Sequence, residues 1–227
     1  MTELGRYASP PCLASEISPD YFDPLAVDPE QARDVARWRK AERARLIAMR
    51  AAVPVAERHA AAEAIAAQLD TLLAARFQTI ERLTILAWWP IKAELNLRHW
   101  LESLAARGAR VALPVVVTPA APLVFRLWTP DCKMVQGFWR IPVPADGPEV
   151  VPDVTLAPVV GWDAAGYRLG YGGGYFDRTL AVLSPRPLTI GVGLQSAQLA
   201  TIFPQSHDIG LDVILTEAGI QFERNAA

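Results

Sequence analysis

The residues best equipped for chemistry lie between Arg168 and Arg178, where the string RLGYGGGYFDR gathers four glycines and an aspartate within eleven positions. Gly170, Gly172, Gly173 and Gly174 lack the Cβ atoms that would hold an anion away from main-chain N–H groups. The segment could therefore close around phosphate oxygens. It follows an apolar run and a turn read at GWDAAG (161–166), and a helix is expected to open near Tyr175. Strand, glycine loop and helix N-terminus together make a site for negative charge. The two familiar phosphate patterns are nonetheless missing. No Gly-Lys-Ser/Thr ends the loop, and a G-x-G-x-x-G counted from Gly170 would need glycine at Tyr175. On residue types alone a structural turn and a phosphate cradle both stand. Asp177 reads equally well as an acid favoured in the first turn of a helix.

Such a loop needs a frame, and the composition allows one. The 227 residues are 52% hydrophobic and 20% charged, enough for a sizeable core in one domain. A net charge of −2 argues against a dedicated nucleic-acid or membrane-surface binder, whose basic footprint would show. Cys12 and Cys132 form neither a disulfide framework nor a CxxC site, which suits a reducing compartment. Residues 1–30 carry acids and prolines in place of a secretory leader. No apolar stretch reaches the roughly 18 residues of a membrane span. A cytoplasmic protein is expected.

Residues 1–28 read as an irregular N-terminal arm, and 29–227 as a single domain. Pro29 opens a helix through about Val53, with Asp28 as its N-cap. Val35, Trp38, Leu46, Met49 and Val53 form its apolar stripe, and Arg37, Lys40, Arg43 and Ile47 an adjacent face. A second, alanine-rich helix runs from about Val55 to Ala75. Beyond it, short apolar runs at 83–90, 110–117, 154–160, 188–194 and 211–216 read as strands, with helices near 95–106 and 175–183. This pattern predicts an α/β fold, a mostly parallel sheet with helices on both faces. The alternating LVFRLW (123–128) suggests an antiparallel or edge strand, and the proline-rich 141–152 a loop.

The longer string GYRLGYGGGYFDR (166–178) closely resembles the signature of the 5-formyltetrahydrofolate cyclo-ligase family, also called methenyltetrahydrofolate synthetases. Three further segments resemble that family in the same order: the basic helix RKAERARLIAMR (39–50), the strand and loop LAWWPIKAEL (86–95), and AQLATIFPQSHDIGLDVILTE (197–217). The likeness spans about residues 39–217. It implies an enzyme that uses Mg-ATP to convert 5-formyltetrahydrofolate into 5,10-methenyltetrahydrofolate, releasing ADP and phosphate. A reduced folate would be its partner, with no nucleic acid and no membrane, and a monomer is the default.

The resemblance also implies roles. Arg168, Leu169, Gly170, Tyr171, Gly172, Gly173, Gly174, Tyr175 and Phe176 would bind ATP, and Lys40 and Arg43 would hold its phosphates, with Arg39 the alternative to Lys40. Tyr171 to Tyr175 would also border the folate. Arg43, Arg168, Tyr175 and Asp177 would serve the chemistry, and Asp177 and Asp208 would hold Mg²⁺. Glu94 would grip the pterin by a charge-assisted, two-point contact. Trp89 and Trp139, the latter within FWRIPVP, would lie against flat rings. Trp88 reads as core, because neighbours on a strand point to opposite faces. Gln198 and Asp212 would play supporting parts. Without the resemblance, the basic residues are a solvated stripe and Glu94 an exposed helix-start acid. Phe176 departs from the family's commoner tyrosine, and the arm is absent from its short members. His59, His99 and His207 show no metal-ligand spacing, and a surface-loop role suits His207. Two other readings are a diverged ATP-dependent enzyme acting on another small amide or acid, and a non-catalytic folate- or nucleotide-binding regulator.

Overall fold

The computed structural model describes residues 29–224. The expected arm and the Asp28 cap lie outside the described residues. In chain order the elements are α1 (Pro29–Ala52), α2 (Val55–Arg76), β1 (Thr84–Leu86), α3 (Arg98–Ala106), β2 (Arg110–Val115), β3 (Val124–Leu127), β4 (Met134–Gln136), β5 (Pro142–Pro144), β6 (Val154–Pro158), β7 (Gly161–Asp163), β8 (Arg168–Leu169), α4 (Tyr175–Val182), β9 (Leu188–Val192), β10 (Gln198–Leu199), β11 (Val213–Thr216) and β12 (Gly219–Glu223). Pro54 separates the first two helices, as expected of a residue that disfavours helix ahead of itself. Residues 38–224 belong to one compact unit. The described residues before it are the first turns of α1, where Arg37 pairs with Asp34.

The main sheet has the order β12-β11-β9-β6-β1-β2-β3. Its interior pairings, β11 with β9, β9 with β6, β6 with β1 and β1 with β2, are all parallel. The edge strands β12 and β3 pair antiparallel. Every residue of β1 and β11 is buried, which is why these runs are continuously apolar. Adjacent residues serve opposite faces. Ile85 joins the larger cluster with Ile65, Leu69 and Leu73 of α2 and Leu101 and Leu104 of α3. Leu86 joins a smaller cluster with Ala112 and Phe125, against which Leu123 and Leu183 pack. There α4 is tied down by Thr179, whose hydroxyl accepts the Leu123 N–H at 2.9 Å. Helices thus cover both faces. No helix among the described residues is long and apolar enough to cross a membrane.

The order of the parallel strands reverses at β1. The chain moves from β1 to β2 on one side, then crosses to β6, β9 and β11 on the other. The segments leaving the carboxyl ends of β1 and β6 diverge, and a crevice opens between them, where open α/β sheets bind ligands.

Two expectations need correction. GWDAAG does not form a turn throughout: Gly161–Asp163 is β7, centre of a small sheet of order β10-β7-β8. Trp162 is fully buried there and donates its indole N–H to Leu194 O, so the strand is fixed by core packing as much as by pairing. The turn itself is held by Asp163, which accepts the N–H groups of Ala165, Tyr167 and Ile202. Within 141–152, Pro142–Pro144 is β5, paired antiparallel with β4. A two-stranded ribbon consists of edges, where proline's missing N–H is tolerated and its fixed φ suits an extended chain.

The β7–β8 turn sets where the glycine loop begins. Gly166 has φ +82°, and a Cβ there would run into the Phe222 ring. Gly166→Ala should lower stability by about 2–3 kcal/mol, from strain plus overpacking. The check is a drop in urea midpoint at unchanged slope.

Candidate active site

The loop leaves β8 at Leu169 and enters α4 at Tyr175. Gly172 and Gly174 have φ of +93° and +63°, the left-handed region that a side chain resists. Gly174 is the N-cap of α4 and supplies no side-chain cap, so the helix opens with uncovered N–H groups. The Arg43 guanidinium lies against the loop: its Nε donates to Gly170 O at 2.7 Å, and a Cβ on Gly172 would sit 3.3 Å from its Cζ.

Two arginine–aspartate pairs, each with its arginine buried and its aspartate partly so, line the same cavity as this loop. Arg168 donates from Nη2 to Asp177 Oδ1 at 2.7 Å and from Nη1 to Ile209 O at 2.8 Å, and its guanidinium lies 4.7 Å from the Phe176 ring centre. Ile209 N–H returns to Asp177 Oδ1 at 3.0 Å. Arg39 reaches Asp208 Oδ2 at 2.5 Å and Ile202 O at 2.9 Å, while Gln205 N–H donates to the same Oδ2 at 2.7 Å. Burial works to raise the Asp208 carboxyl, but the Arg39 and Gln205 hydrogen bonds and the Arg39 charge hold it below the usual carboxylate range. Burial lowers the guanidinium pKa of both Arg43 and Arg168; the neighbouring Arg39 charge adds to the effect on Arg43, and Asp177 opposes it at Arg168. Arg43 makes no ion pair among the described residues. It is a half-buried cation bonded to a carbonyl, with charge to spare for an anion.

Two cavities adjoin at the crevice. The first, of about 260 Å³, is walled by Arg39, Arg43, Asp177, Asp208 and the loop from Arg168 to Phe176. The second, of about 170 Å³, is walled by Trp89, Ile91, Val116, Phe138 and Ile141, with Glu94 as its carboxylate. Trp88, at the end of β1, Pro158, at the end of β6, and Trp139, Tyr171 and Tyr175 border both. One crevice is thus divided into a charged half and an apolar half, and the glycine loop forms part of the partition.

Glu94 is buried at the end of a tight loop. Its N–H donates to Ile91 O at 2.9 Å, and the Ile91 N–H donates to Glu94 Oε2 at 2.8 Å. Burial raises its carboxyl above the ordinary 4.5, against the Ile91 hydrogen bond and the Arg50 charge. The Tyr171 phenol is pushed up to about 12 by burial and by the Glu94 charge. Trp139 is 62% exposed, has φ +55°, and meets the Tyr175 ring edge-on at 5.4 Å.

The structure brings together most residues singled out in the sequence. Arg43, Arg168 to Asp177 and Asp208 meet in the first cavity, and Trp89, Glu94, Trp139, Tyr171 and Tyr175 in the second. Of the two alternatives Lys40 and Arg39, Lys40 is exposed and absent from either wall, while Arg39 is 8% exposed and lines the first. On a helix of 3.6 residues per turn, one position rotates a side chain by about 100°. Trp88 is buried as expected, yet it also borders both cavities, because β1 has already ended at Leu86. Glu94 is not the exposed acid that its neighbours suggested. Gln198 and Asp212 lie outside both walls; Asp212 binds Thr189. His207 lines the rim of the first cavity. Arg50 was missed, although its spacing from Arg39, Arg43 and Leu46 places it on their helical face.

Among the described residues no three His, Cys, Asp or Glu side chains cluster to hold a metal. Asp177 and Asp208 share one cavity, each already paired with an arginine. That donor set suits a cation arriving with phosphate oxygens and water, as Mg²⁺ does, and not a cage built from protein alone.

Residues 35–217 match the 5-formyltetrahydrofolate cyclo-ligase family. The chain is similar to the 5-formyltetrahydrofolate cyclo-ligase of Mycolicibacterium smegmatis, with 33% identity over 182 residues that cover 77% of this chain and 91% of that protein. It is also similar to the enzyme of the same name from Escherichia coli K12, with 36% identity over 103 residues, 43% of this chain and 57% of that one. Among solved structures, the 5,10-methenyltetrahydrofolate synthetase of Aquifex aeolicus superposes with a TM-score of 0.71 at 25% identity, covering 83% of this chain and 94% of that chain. A 5,10-methenyltetrahydrofolate synthetase from Mycoplasma pneumoniae has the same fold, with a TM-score of 0.63 at 23% identity over 79% and 98% of the chains.

The burial of Glu94 predicts a pH signature. A carboxyl whose folded-state pKa lies above its ordinary 4.5 stabilises fully below that value and loses its contribution as pH rises through the folded one. Glutamine has no such loss. The Tm of Glu94→Gln should therefore gain on wild type as pH rises from 4.5 to neutrality. Thermal unfolding across a pH series checks this, and a Tm gap independent of pH would contradict the desolvated acid.

Proposed function

The chain belongs to the 5-formyltetrahydrofolate cyclo-ligase family, and we propose that its two cavities divide the reaction's substrates between them: ATP in the charged half, 5-formyltetrahydrofolate in the apolar half. A formamide oxygen is a poor leaving group. Transfer of the γ-phosphoryl group to it breaks the bond to ADP and, as the N5 lone pair moves toward carbon, yields an iminium phosphate. The N10 amine then attacks that carbon, phosphate departs with the former formyl oxygen, and N10 loses its proton. The product is the 5,10-methenyl cation. Most of the protein's work is alignment and charge stabilisation.

The loop amides from Arg168 to Phe176 and the open N-terminus of α4 would bind the triphosphate. Arg43 would give its unpaired charge to the γ-phosphoryl group, and Arg39 takes the part first given to Lys40. Asp177 and Asp208 would hold Mg²⁺ with the phosphate oxygens; when bound, the ion draws negative charge from the group being transferred. Glu94 would accept from the pterin N–H groups, with Trp89 and Trp139 against the flat rings. Tyr171 and Tyr175, on the shared wall, are where formyl oxygen and γ-phosphate would meet. That shared wall is the observation that supports the reading best.

Purified protein given Mg-ATP and 5-formyltetrahydrofolate should gain the near-ultraviolet absorbance of the methenyl product in step with ADP release. Folded protein giving no product would refute the proposal. Asp177→Asn is the informative variant. Alanine would strand the buried Arg168, at a cost of about 3–5 kcal/mol, whereas asparagine keeps an oxygen for Arg168 and Ile209. It should stay folded and lose on the order of 100-fold or more in kcat.

A further inference from the structure

We infer that Arg50 is a positioning residue that locks the Glu94 loop and the glycine loop to each other, so that the two cavities fill cooperatively. The inference rests on the substrate assignment above. Arg50 lies on α1 and is 8% exposed. Its Nη2 donates to Tyr171 Oη at 2.5 Å and to Lys92 O at 3.2 Å. Those two acceptors belong to different halves of the site. Tyr171 is in the glycine loop and borders both cavities; Lys92 is in the loop that presents Glu94 to the second.

The surroundings show that this contact is under demand. Arg50 makes no ion pair among the described residues, and its Nε is buried without a hydrogen-bond partner. A buried, partly unsatisfied guanidinium is expensive, and an apolar residue on α1 would fill the space at less cost. The loop it holds is strained as well. Lys92 and Ala93 have φ of +46° and +60°, and consecutive left-handed residues with side chains persist only where surrounding contacts over-determine them. The Arg50–Lys92 bond and the Ile91–Glu94 clip are those contacts. Tyr171 is confined in turn, with Arg50 5.9 Å and Lys92 Nζ 5.4 Å from its ring centre.

The consequence is thermodynamic. A ligand that orders the glycine loop also orders Tyr171, through it Arg50, and through Arg50 the carbonyl that fixes Glu94. Whichever ligand binds first removes part of the ordering cost for the second, and the coupling is reciprocal. This coupling passes through the chain, in addition to any contact between the two ligands.

The test is calorimetric titration of the full chain with 5-formyltetrahydrofolate, alone and saturated with a non-hydrolysable ATP analogue and Mg²⁺. Wild type should bind the folate at least about 5-fold tighter with the analogue present, the low end of ordinary site-to-site coupling. Tyr171→Phe keeps the ring and removes only the hydroxyl; Arg50→Met keeps most of the volume and removes the donor. Each should bring the ratio to within about 2-fold of unity, and the double variant should match the single ones. A folded Tyr171→Phe that keeps the wild-type ratio overturns the inference, even if Arg50→Met does not fold. Wild type that binds both ligands independently overturns it too and leaves the substrate assignment standing. Wild type that binds neither overturns the assignment itself, and the inference with it.

Discussion

The buried pair of Arg168 and Asp177 is the interaction on which the site depends. Arg168 ends the β7–β8 hairpin, Asp177 lies in the first turn of α4, and the glycine loop runs between them. The segment 170–174 contains four glycines, and a Cβ on Gly170 would meet nothing within 4 Å. Glycines lose the most backbone freedom on ordering. Such a segment holds a shape only if its ends are fixed, and the ion pair fixes both. Ile209 completes the arrangement, accepting from Arg168 and donating to Asp177, so that three separate stretches of chain close one hydrogen-bonded ring. An apolar substitute of equal volume could match the stability of a buried ion pair. It could not set the direction of the loop.

The parallel order supplies the place for that ring. The reversal at β1 separates the segments leaving β1 and β6, and the two cavities occupy the gap. Trp88 and Pro158 stand at the ends of those strands and belong to both walls, so the core itself forms the floor. The small β10-β7-β8 sheet then carries the chain to the rim. Its rigidity comes from Trp162 in the core and from Asp163, whose carboxylate accepts three backbone N–H groups. A floor of core residues and a braced rim are what let a glycine-rich loop act as a partition.

Much of the frame was legible because it obeys simple periods. Continuous apolar runs marked the buried parallel strands, and alternation at 123–128 marked the edge strand β3. The glycine string was legible because left-handed backbone leaves a compositional trace. What escaped the sequence depends on phase and on contacts between distant segments. Lys40 and Arg39 are equally basic neighbours, and only the rotation of α1 against the sheet decides between them. Glu94 precedes an ordinary helix and looks exposed; in the fold it is buried, and Arg50, 44 positions earlier, and Tyr171, 77 positions later, act on its carboxyl, neither visible from local pattern. The β4–β5 ribbon was hidden by its own prolines, which signal a loop unless the strand is known to be an edge. The full string around the glycines carried more than its parts, since phosphate-binding rules alone had left its purpose undecided.

The distribution of unfavourable features separates the two cavities further. In the first, Arg168 and Arg39 are each matched to a carboxylate at 2.7 and 2.5 Å. The second has the desolvated Glu94 in its wall, and the loop that carries Glu94 has left-handed backbone at Lys92 and Ala93 beside the unpartnered Nε of Arg50. Each left-handed residue of this kind costs on the order of 1–3 kcal/mol, a large fraction of a domain's net stability of about 5–15 kcal/mol. Folding alone gives no reason to place them side by side, and the helices and sheet beneath must supply the surplus that sustains them. A charged ligand can enter the first cavity by exchanging one set of charges for another and by meeting Arg43, which makes no ion pair among the described residues. A neutral ring that must be held in one orientation gains most from polar groups already buried, already aimed and short of partners. On the assignment proposed above, the strained loop lies beside the ring to be oriented, and the paired charges lie where phosphate would come and go.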